Sequence, residues 1–406
     1  MRNFLNFWLI ISALVFTTSY VEAQCDDVFA ANFDPADSLS VNCKYPIAVQ
    51  NPPFLYELPK KVKETSGLIF FDDLLWTHND SGGEAVLYGL DTANGQIVRQ
   101  LKFPEIEHSD WEDVALNEEY IFIGDFGNNS GSRKDLHIHR VRRSDVPTKG
   151  DAKLETAEIQ FHFEDQAVFS VNWKSNNFDC EAMVAGEENL YLFTKNRGDQ
   201  HSRIYQLPTS PGNHVAKLIG RFDSKGLITG ADYLPNQKTL VLIGYTYKTW
   251  KPFVWLFYGF EQEDFLSGKK RKIDLLNLLT TQVEGIAFIN PWQVMISAES
   301  SKSFTARAFK MDLQAFLSPY QLALAKGDLL PAVSYDKKDK AFKFSDGSLK
   351  AGFYQLMIFD AENHLLTKET IQLEVDDQML SIDLTWSEKA TKAALFGKRH
   401  TYYFNF

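Results

Sequence analysis

One pattern occurs five times in this chain, and the repeat restricts the available folds more than any other feature of the sequence. Each copy has an acidic residue, a short apolar run, a polar turn, a second apolar run and a polar end. The copies begin at Glu64, Glu112, Glu181, Asp232 and Glu284, and each continues into a third apolar run. Strand-length runs that recur about every fifty residues are typical of propeller blades. We therefore predict an all-β chain whose main body is a β-propeller.

The way the ring closes decides the number of blades. The five repeats occupy residues 64–316, and the fifth copy lacks a clear outer strand. Residues 54–59 (FLYELP) precede the first repeat and supply such a strand if both ends of the chain share one blade, which protects the sheet edges. Five blades are favoured, and six are the alternative. We assign residues 47–330 to the propeller and residues 331–406 to a small C-terminal β-sandwich-like domain.

The N-terminus predicts export. An almost wholly apolar stretch is followed by Val21-Glu22-Ala23, a small-residue cleavage pattern, so residues 1–23 are assigned to a signal peptide. A membrane anchor and a lipid anchor on Cys25 are the alternatives. No later segment is long and apolar enough to span a bilayer. The mature protein is expected to be secreted or on the cell surface, with the periplasm as a further alternative.

Residues 24–46 form a separate acidic module bracketed by Cys25 and Cys43. In an oxidising compartment these two cysteines are expected to form a disulfide, whereas Cys180 is expected to be free and buried. The module resembles a Cys-bracketed segment of secreted proteins of the Bacteroidetes type. Its oxygen-bearing side chains form either a Ca²⁺ site or a solvated linker. They are Asp26, Asp27, Asn32, Asp34 and Asp37.

Charge and motifs exclude several classes of function. The formal net charge of −11 argues against binding to nucleic acid and to anionic membranes. The sequence contains no Gly-x-Ser-x-Gly elbow, no His-Glu-x-x-His motif and no phosphate loop. Catalytic residues therefore stay unassigned from the sequence.

The acids that open the five repeats are expected to converge. If the first two strands of each repeat are the inner pair of a blade, ring symmetry gathers these acids at one end of the central channel. Clustered carboxylates repel one another, and a bound Ca²⁺ removes that cost, with other divalent metals left open. Alternatively, the acids accept hydrogen bonds from neighbouring backbone amides. The predicted metal ligands are Glu64, Glu112, Glu181, Asp232 and Glu284.

A second set of polar residues follows the second strand of each repeat or neighbours the first acid. These residues are expected at the same edge, where they support the metal or bind a ligand. The set comprises His78, Asn79, Asp80, Asp113, Asp125, Asn128, Lys195 and Glu299, with Tyr245 at the corresponding place in the fourth repeat.

Several short motifs resemble a known group of propellers. The motifs start at Glu64 (ETSGL), Asp110 (DWEDVA), Asp179 (DCEAM), Thr229 (TGAD) and Val283 (VEGIAF). In this order they look like the SdiA-regulated propeller family and the related phytase-like esterase propellers. The resemblance implies a propeller with a central Ca²⁺ site. Residues 354–363 (YQLMIFDAEN) resemble part of the C-terminal sorting domain of type IX secretion, and an ordinary accessory β-domain is the alternative.

Three functions fit these features. The favoured one is an exported, Ca²⁺-stabilised protein that binds an unidentified small molecule or surface ligand. The second is a metal-dependent hydrolase of phosphoesters or lactones, with Glu112 or Asp113 as the base. The third is a structural surface protein, because the fold by itself does not decide among these roles.

Overall fold

The computed structural model describes residues 48–276, 278, 282–314 and 316–317, together with seven strands between residues 333 and 405. The predicted signal peptide and the predicted Cys25–Cys43 disulfide lie outside these residues. Within the described ranges, helix is limited to short 3-10 turns at Lys60–Val62, Arg143–Asp145 and Pro235–Gln237. No helix in this part of the chain is long and apolar enough to cross a membrane.

The strands of the propeller are short and follow one another closely along the chain. In order they are β1 (Ala48–Gln50), β2 (Phe54–Glu57), β3 (Thr65–Phe71), β4 (Leu74–Asn79), β5 (Val86–Asp91), β6 (Ile97–Lys102), β7 (Trp111–Leu116), β8 (Tyr120–Asp125), β9 (Leu136–Arg142), β10 (Ala152–Lys153), β11 (Ala157–Phe163), β12 (Cys180–Ala185), β13 (Asn189–Thr194), β14 (His201–Pro208), β15 (Gly212–Asp223), β16 (Leu227–Leu234), β17 (Thr239–Tyr245), β18 (Pro252–Tyr258), β19 (Lys269–Leu275), β20 (Val283–Asn290), β21 (Gln293–Ala298) and β22 (Arg307–Asp312).

These strands form five antiparallel blades, each numbered from its inner strand outward. The first four blades are β3–β6, β7–β9 with β11, β12–β15 and β16–β19. In the fifth, β20, β21 and β22 are followed by β2, which comes from the N-terminal side of the first repeat. The predicted closure of the ring by residues 54–57 is therefore confirmed, and so is the favoured number of five blades.

The blades pack face to face around a ring of inner strands. β3 contacts β7, β7 contacts β12, and β12, β16 and β20 continue the ring back to β3. A separate cluster of buried apolar side chains fills each of the five interfaces. Because most blades are covered on both faces, their strands read as nearly continuous apolar runs. Trp76 and Trp111, both fully buried between the first two blades, illustrate this packing.

Three parallel pairings extend the simple blade pattern, and one of them adds β10 outside β6 of the first blade. β11, the outer strand of the second blade, pairs in parallel with β15, the outer strand of the third, so these blades share one eight-stranded sheet. β1 pairs in parallel with β19 outside the fourth blade. Cys180 lies at the start of β12, where it is free and fully buried, as the sequence predicted.

The chain beyond the propeller contains two further sheets. Its strands are β23 (Val333–Asp336), β24 (Ala341–Phe344), β25 (Gly352–Phe359), β26 (Leu365–Leu373), β27 (Met379–Ser381), β28 (Lys392–Gly397) and β29 (Thr401–Asn405). One sheet has the order β23-β24-β27 and the other β26-β25-β28-β29. This agrees with the predicted C-terminal β unit.

Candidate metal centre

The inner strands carry one equivalent position near their start. On β7, Trp111 pairs with Asp125 and Asp113 with Gly124, so Glu112 is the extra residue of a β-bulge. β12, β16 and β20 each have a β-bulge with one extra residue at the corresponding place. In the first blade the Asp80 N–H donates to the carbonyl oxygen of Glu64, just as the Gly127 N–H donates to that of Asp110. Because Asp110 lies two residues before Glu112, the equivalent residue of the first blade lies two residues after Glu64. The equivalent residues are Ser66, Glu112, Glu181, Thr229 and Glu284.

Two of the five predicted ligands are therefore out of register, and the alignment is corrected. Asp232 lies deeper in β16 than Thr229, and its carboxylate accepts the N–H groups of Tyr233 and Phe288, at 2.8 and 2.7 Å. Its role is the backbone-bonded one that the sequence left as the alternative. Glu64 precedes Ser66 by two positions, its side chain is 42% exposed, and it pairs with Lys63.

The register of Glu64 identifies two acids that the repeat alignment missed. The carbonyl groups of Glu64, Asp110 and Asp179 each accept an N–H from the segment that follows the second strand of their own blade. Asp110 and Asp179 therefore stand two residues before Glu112 and Glu181. The repeated Asp-x-Glu of DWE and DCE was the sequence signal that could have identified them.

Five carboxylates come together where the first three blades meet. Asp80, Asp110 and Glu112 each offer an oxygen within 4.8 Å of the others, and so do Glu112, Asp179 and Glu181. Glu112 belongs to both triplets, which makes it the centre of the group. We call these five residues the Glu112 group. An all-oxygen set at this spacing suits a hard divalent cation.

Burial and mutual repulsion disfavour the ionised form of these acids and raise their pKa values. Burial, followed by the charges of Glu181, Asp80 and Asp110, raises the pKa of Glu112 well above its usual value. Burial, with Asp110 next, raises the pKa of Asp80 to about 7. Without a cation the group must retain protons near neutral pH, and a bound cation would displace them.

Some oxygens of these acids have no partner. Glu112 Oε1 and Asp80 Oδ1 are buried without any hydrogen bond among the described residues. Glu112 as a whole is only 3% exposed. Gly127 leaves the adjacent space open, because a Cβ there would overlap Glu112 Oε1 and Asp110 Oδ2. A buried carboxylate oxygen without a donor is costly, and a cation in this space would satisfy it.

Basic side chains neutralise one half of the group. Lys195 Nζ donates to Glu181 Oε2 at 2.7 Å, and both side chains are buried. Burial opposes the charge of this ammonium, but the Glu181 carboxylate and the acidic groups around it together outweigh burial, and the pKa of Lys195 is raised well above its ordinary value. Arg197 pairs with Asp179. Among the described residues neither Glu112 nor Asp80 has an ion-pair partner, so the unsatisfied charge lies on that side.

The fifth blade contributes a separate acidic pair. Gln282 Nε2 donates to Glu284 Oε1 at 3.2 Å and to Glu299 Oε2 at 3.0 Å. Burial, with the Glu284 charge next, raises the pKa of Glu299 to about 9, so this side chain holds a proton near neutral pH. Glu284 Oε2 is buried and unpartnered, yet it lies outside both triplets.

Several predicted neighbours act as scaffolding. Asp113 accepts the N–H groups of Val114 and Met183 at 2.9 and 2.8 Å and so ties β7 to β12. Asp125 accepts the N–H groups of Ser109 and Asp110, which fixes the loop that carries Asp110.

The remaining predicted residues are also hydrogen-bonded at the same edge or close to it. The Asn79 amide oxygen accepts the N–H of Glu64 at 3.2 Å. The Asn128 N–H donates to Asp179 Oδ1 at 2.9 Å. Burial lowers the pKa of His78 to about 3, so its ring is neutral. The ammonium of Lys195 lies 5.6 Å from the ring centre of Tyr245.

No protein-family model and no curated protein matches the chain. Solved structures show similarity of fold at 11% identity. A TolB-like protein from Agrobacterium tumefaciens has a TM-score of 0.34 over 63% of this chain and 78% of that one. A GH43 β-xylosidase/α-arabinofuranosidase from a compost metagenome reaches 0.37 over 64% and 94%. Hydrazine synthase of Kuenenia stuttgartiensis gives 0.33, and the chain spans 65% of its length. The first two are β-propellers. The resemblance to the SdiA-regulated family stays a prediction.

Proposed function

We propose that this protein is an exported binding protein that holds one Ca²⁺ at the mouth of its propeller channel and uses the ion to bind an extracellular ligand. The observation that carries the proposal is the buried Glu112 carboxylate, which has four further carboxylates around it and one oxygen without a partner. The apolar stretch at the N-terminus supports export.

The donor set favours calcium over transition metals. The Glu112 group offers carboxylate oxygens only, and Ca²⁺ takes six to eight such ligands in flexible geometry. Lys195 and Arg197 already occupy part of the coordinating capacity of Glu181 and Asp179. The protein therefore leaves coordination positions for a ligand, which is what a binding function needs.

Calorimetry on chelator-treated protein tests this proposal. Ca²⁺ should bind at one site and release protons near neutral pH, because the pKa values of Glu112 and Asp80 are raised without the ion. The released protons appear as a dependence of the binding heat on the ionisation heat of the buffer. Absence of calcium binding in the full-length protein would refute the proposal.

Metal-dependent hydrolysis is a second candidate, and Asp80 favours it. Asp80 Oδ1 is buried without a hydrogen bond next to Asp110 and Glu112, a position from which a carboxylate can take a proton from a metal-activated water. Calcium- or magnesium-dependent turnover of p-nitrophenyl phosphate or of a simple lactone, abolished in Asp80→Asn, would favour this candidate over binding alone.

A further inference from the structure

A second candidate site lies beside the Glu112 group, on the loop of residues 164–178 between β11 and β12. This loop leads directly into Asp179, so it crosses the face of the propeller that carries the acids. Together with Gly131 and Arg203, it lines a half-open cavity of about 200 Å³ at the protein surface. Such a volume is below the roughly 300–1,000 Å³ of pockets for drug-sized ligands, so it suits one small ring.

The lining of the cavity is rich in neutral hydrogen-bonding groups. Five of its nine residues carry amide or hydroxyl side chains, and Phe178 adds an aromatic ring. The lining residues with amide or hydroxyl groups are Ser170, Asn172, Ser175, Asn176 and Asn177.

Part of this polar lining holds the loop in shape, and part of it is available. Asn172 and Ser175 bond to each other, and Asn176 Nδ2 donates to the carbonyl oxygen of Asn128 at 2.6 Å. In contrast, Asn177 uses only its amide oxygen, which accepts the N–H of Gly198, and neither its Nδ2 nor the solvent-exposed Ser170 hydroxyl has a hydrogen bond within the described part of the chain. Hydrogen bonds therefore hold the loop in shape, and the half-open cavity offers two polar groups to a ligand.

The charge of the cavity selects against ions. Arg203 is the one charged residue in its lining, and the guanidinium donates to Asp165 at 3.1 Å while it lies 4.8 Å from the ring centre of Phe178. This pairing leaves no uncompensated charge. On the same loop Trp173 is 63% exposed, next in sequence to Asn172. Amide and hydroxyl groups beside aromatic rings recognise a molecule that has both hydroxyl groups and apolar C–H faces.

We propose that the 164–178 cavity is a subsite for one ring of a neutral saccharide, whose remainder reaches the cation at the Glu112 group. The proposal rests on the proposed function and deepens it, since it names the class of ligand. A direct connection joins the two sites: Asn128 donates its N–H to Asp179 Oδ1 and its Nδ2 to the Phe178 carbonyl oxygen. Loading of the cation site should therefore strengthen saccharide binding by keeping Phe178 and Asp179 in place.

The test begins with an array of immobilised neutral oligosaccharides built from glucose, galactose, mannose and xylose, probed with the full-length protein in calcium. The strongest binder is then titrated by calorimetry. Asn177→Ala should weaken its affinity about tenfold, and Trp173→Ala about threefold to tenfold. Val98→Ala, at an exposed apolar residue on β6, is the matched control and should leave the affinity unchanged. Circular dichroism and calcium titration show that each variant is folded.

The outcomes separate the two proposals. Normal calcium binding without any saccharide binding refutes the subsite and leaves the cation centre intact, and so does binding of unstructured peptides in place of sugars. Saccharide binding that ignores both variants also refutes it, because the ligand then lies elsewhere. Saccharide binding that is sensitive to the variants in a protein that binds no calcium supports the subsite and refutes the cation centre.

Discussion

Replacement of Glu112 by glutamine should have opposite effects with and without calcium. The glutamine keeps the shape of the side chain and removes the charge at the centre of the two carboxylate triplets. Two full charges 4.8 Å apart repel by about 3 kcal/mol at an effective dielectric constant of about 20. In chelator and mildly alkaline buffer, the variant should therefore be more stable than the wild type. The expected gain is about 1–3 kcal/mol, which is no more than the repulsion between two full charges because the neighbouring acids are partly protonated.

Calcium reverses this advantage. At a calcium concentration of about 100 Kd the wild type gains about 2.7 kcal/mol, and at about 2 °C per kcal/mol its Tm rises by roughly 5 °C. A tenfold weaker site in Glu112→Gln gains only about 1.4 kcal/mol at the same concentration. Scanning calorimetry in chelator and in calcium measures both effects.

A control variant makes this measurement specific. Asp232→Asn removes an acid that accepts two backbone N–H groups and lies outside the Glu112 group. It should lose about 1–3 kcal/mol of stability in chelator and in calcium alike. A Glu112→Gln protein that melts lower than the wild type in chelator, with an unchanged calcium shift, would show that Glu112 is a structural carboxylate and refute the metal centre.

Three further predictions concern the same group. Gly127→Ala should abolish the calcium-induced Tm shift, because its Cβ overlaps the Glu112 carboxylate. Lys195→Met breaks the buried pair with Glu181, so it should cost about 3–5 kcal/mol in chelator, and calcium should restore part of that loss. Burial raises the pKa of Asp80 to about 7, so without calcium the folded state binds more protons than the unfolded state between about pH 4 and 7. Stability should then fall as the pH rises through that window. Calcium should reduce the fall without abolishing it, because burial also raises the pKa of Asp232 to about 7 and Asp232 lies outside the group. Thermal denaturation monitored by circular dichroism checks all three.

Each of these predictions has an outcome that contradicts it. A normal calcium response in Gly127→Ala would place the ion away from Glu112. A Lys195→Met protein as stable as the wild type would mean that the Lys195–Glu181 pair contributes no net stability. A fall in stability between pH 4 and 7 that is equally steep with and without calcium would show that Asp80 does not contribute to it through the cation site.

The blade pattern could be predicted from the sequence because its cause is local. Strands covered on both faces need consecutive apolar residues, and the tight turns between them need polar ones, so the period is visible without a structure. The Asp72-Asp73 turn has positive φ at both residues (56° and 58°), as a two-residue hairpin connection of this twist requires. The closing strand at residues 54–57 was predictable because the fifth repeat lacked an outer strand.

The site could be predicted only in part. Glu112, Glu181 and Glu284 were correctly aligned because all three lie within two residues of the start of the inner-strand apolar run. Thr229 and Ser66 take the place of the acid in the other two blades, where their hydroxyls donate to the neighbouring inner strand. The nearest acids in those two repeats are Asp232 and Glu64, which lie at other positions of the repeat. The Gln282 bridge depends on tertiary contacts that no local pattern encodes.

The parallel pairing of β11 with β15 has a consequence for how the ring opens. This pairing joins the outer edges of the second and third blades by backbone hydrogen bonds. The same two blades carry four acids of the Glu112 group, namely Asp110, Glu112, Asp179 and Glu181. The fifth blade, in contrast, is completed by the four-residue strand β2 from the opposite end of the chain. Thermal fluctuations should therefore separate β2 from β22 first, and amide protons there should exchange with solvent long before those of β7 and β12. The second and third blades would then keep the geometry of the ion site while the β2–β22 pairing of the fifth blade opens and closes.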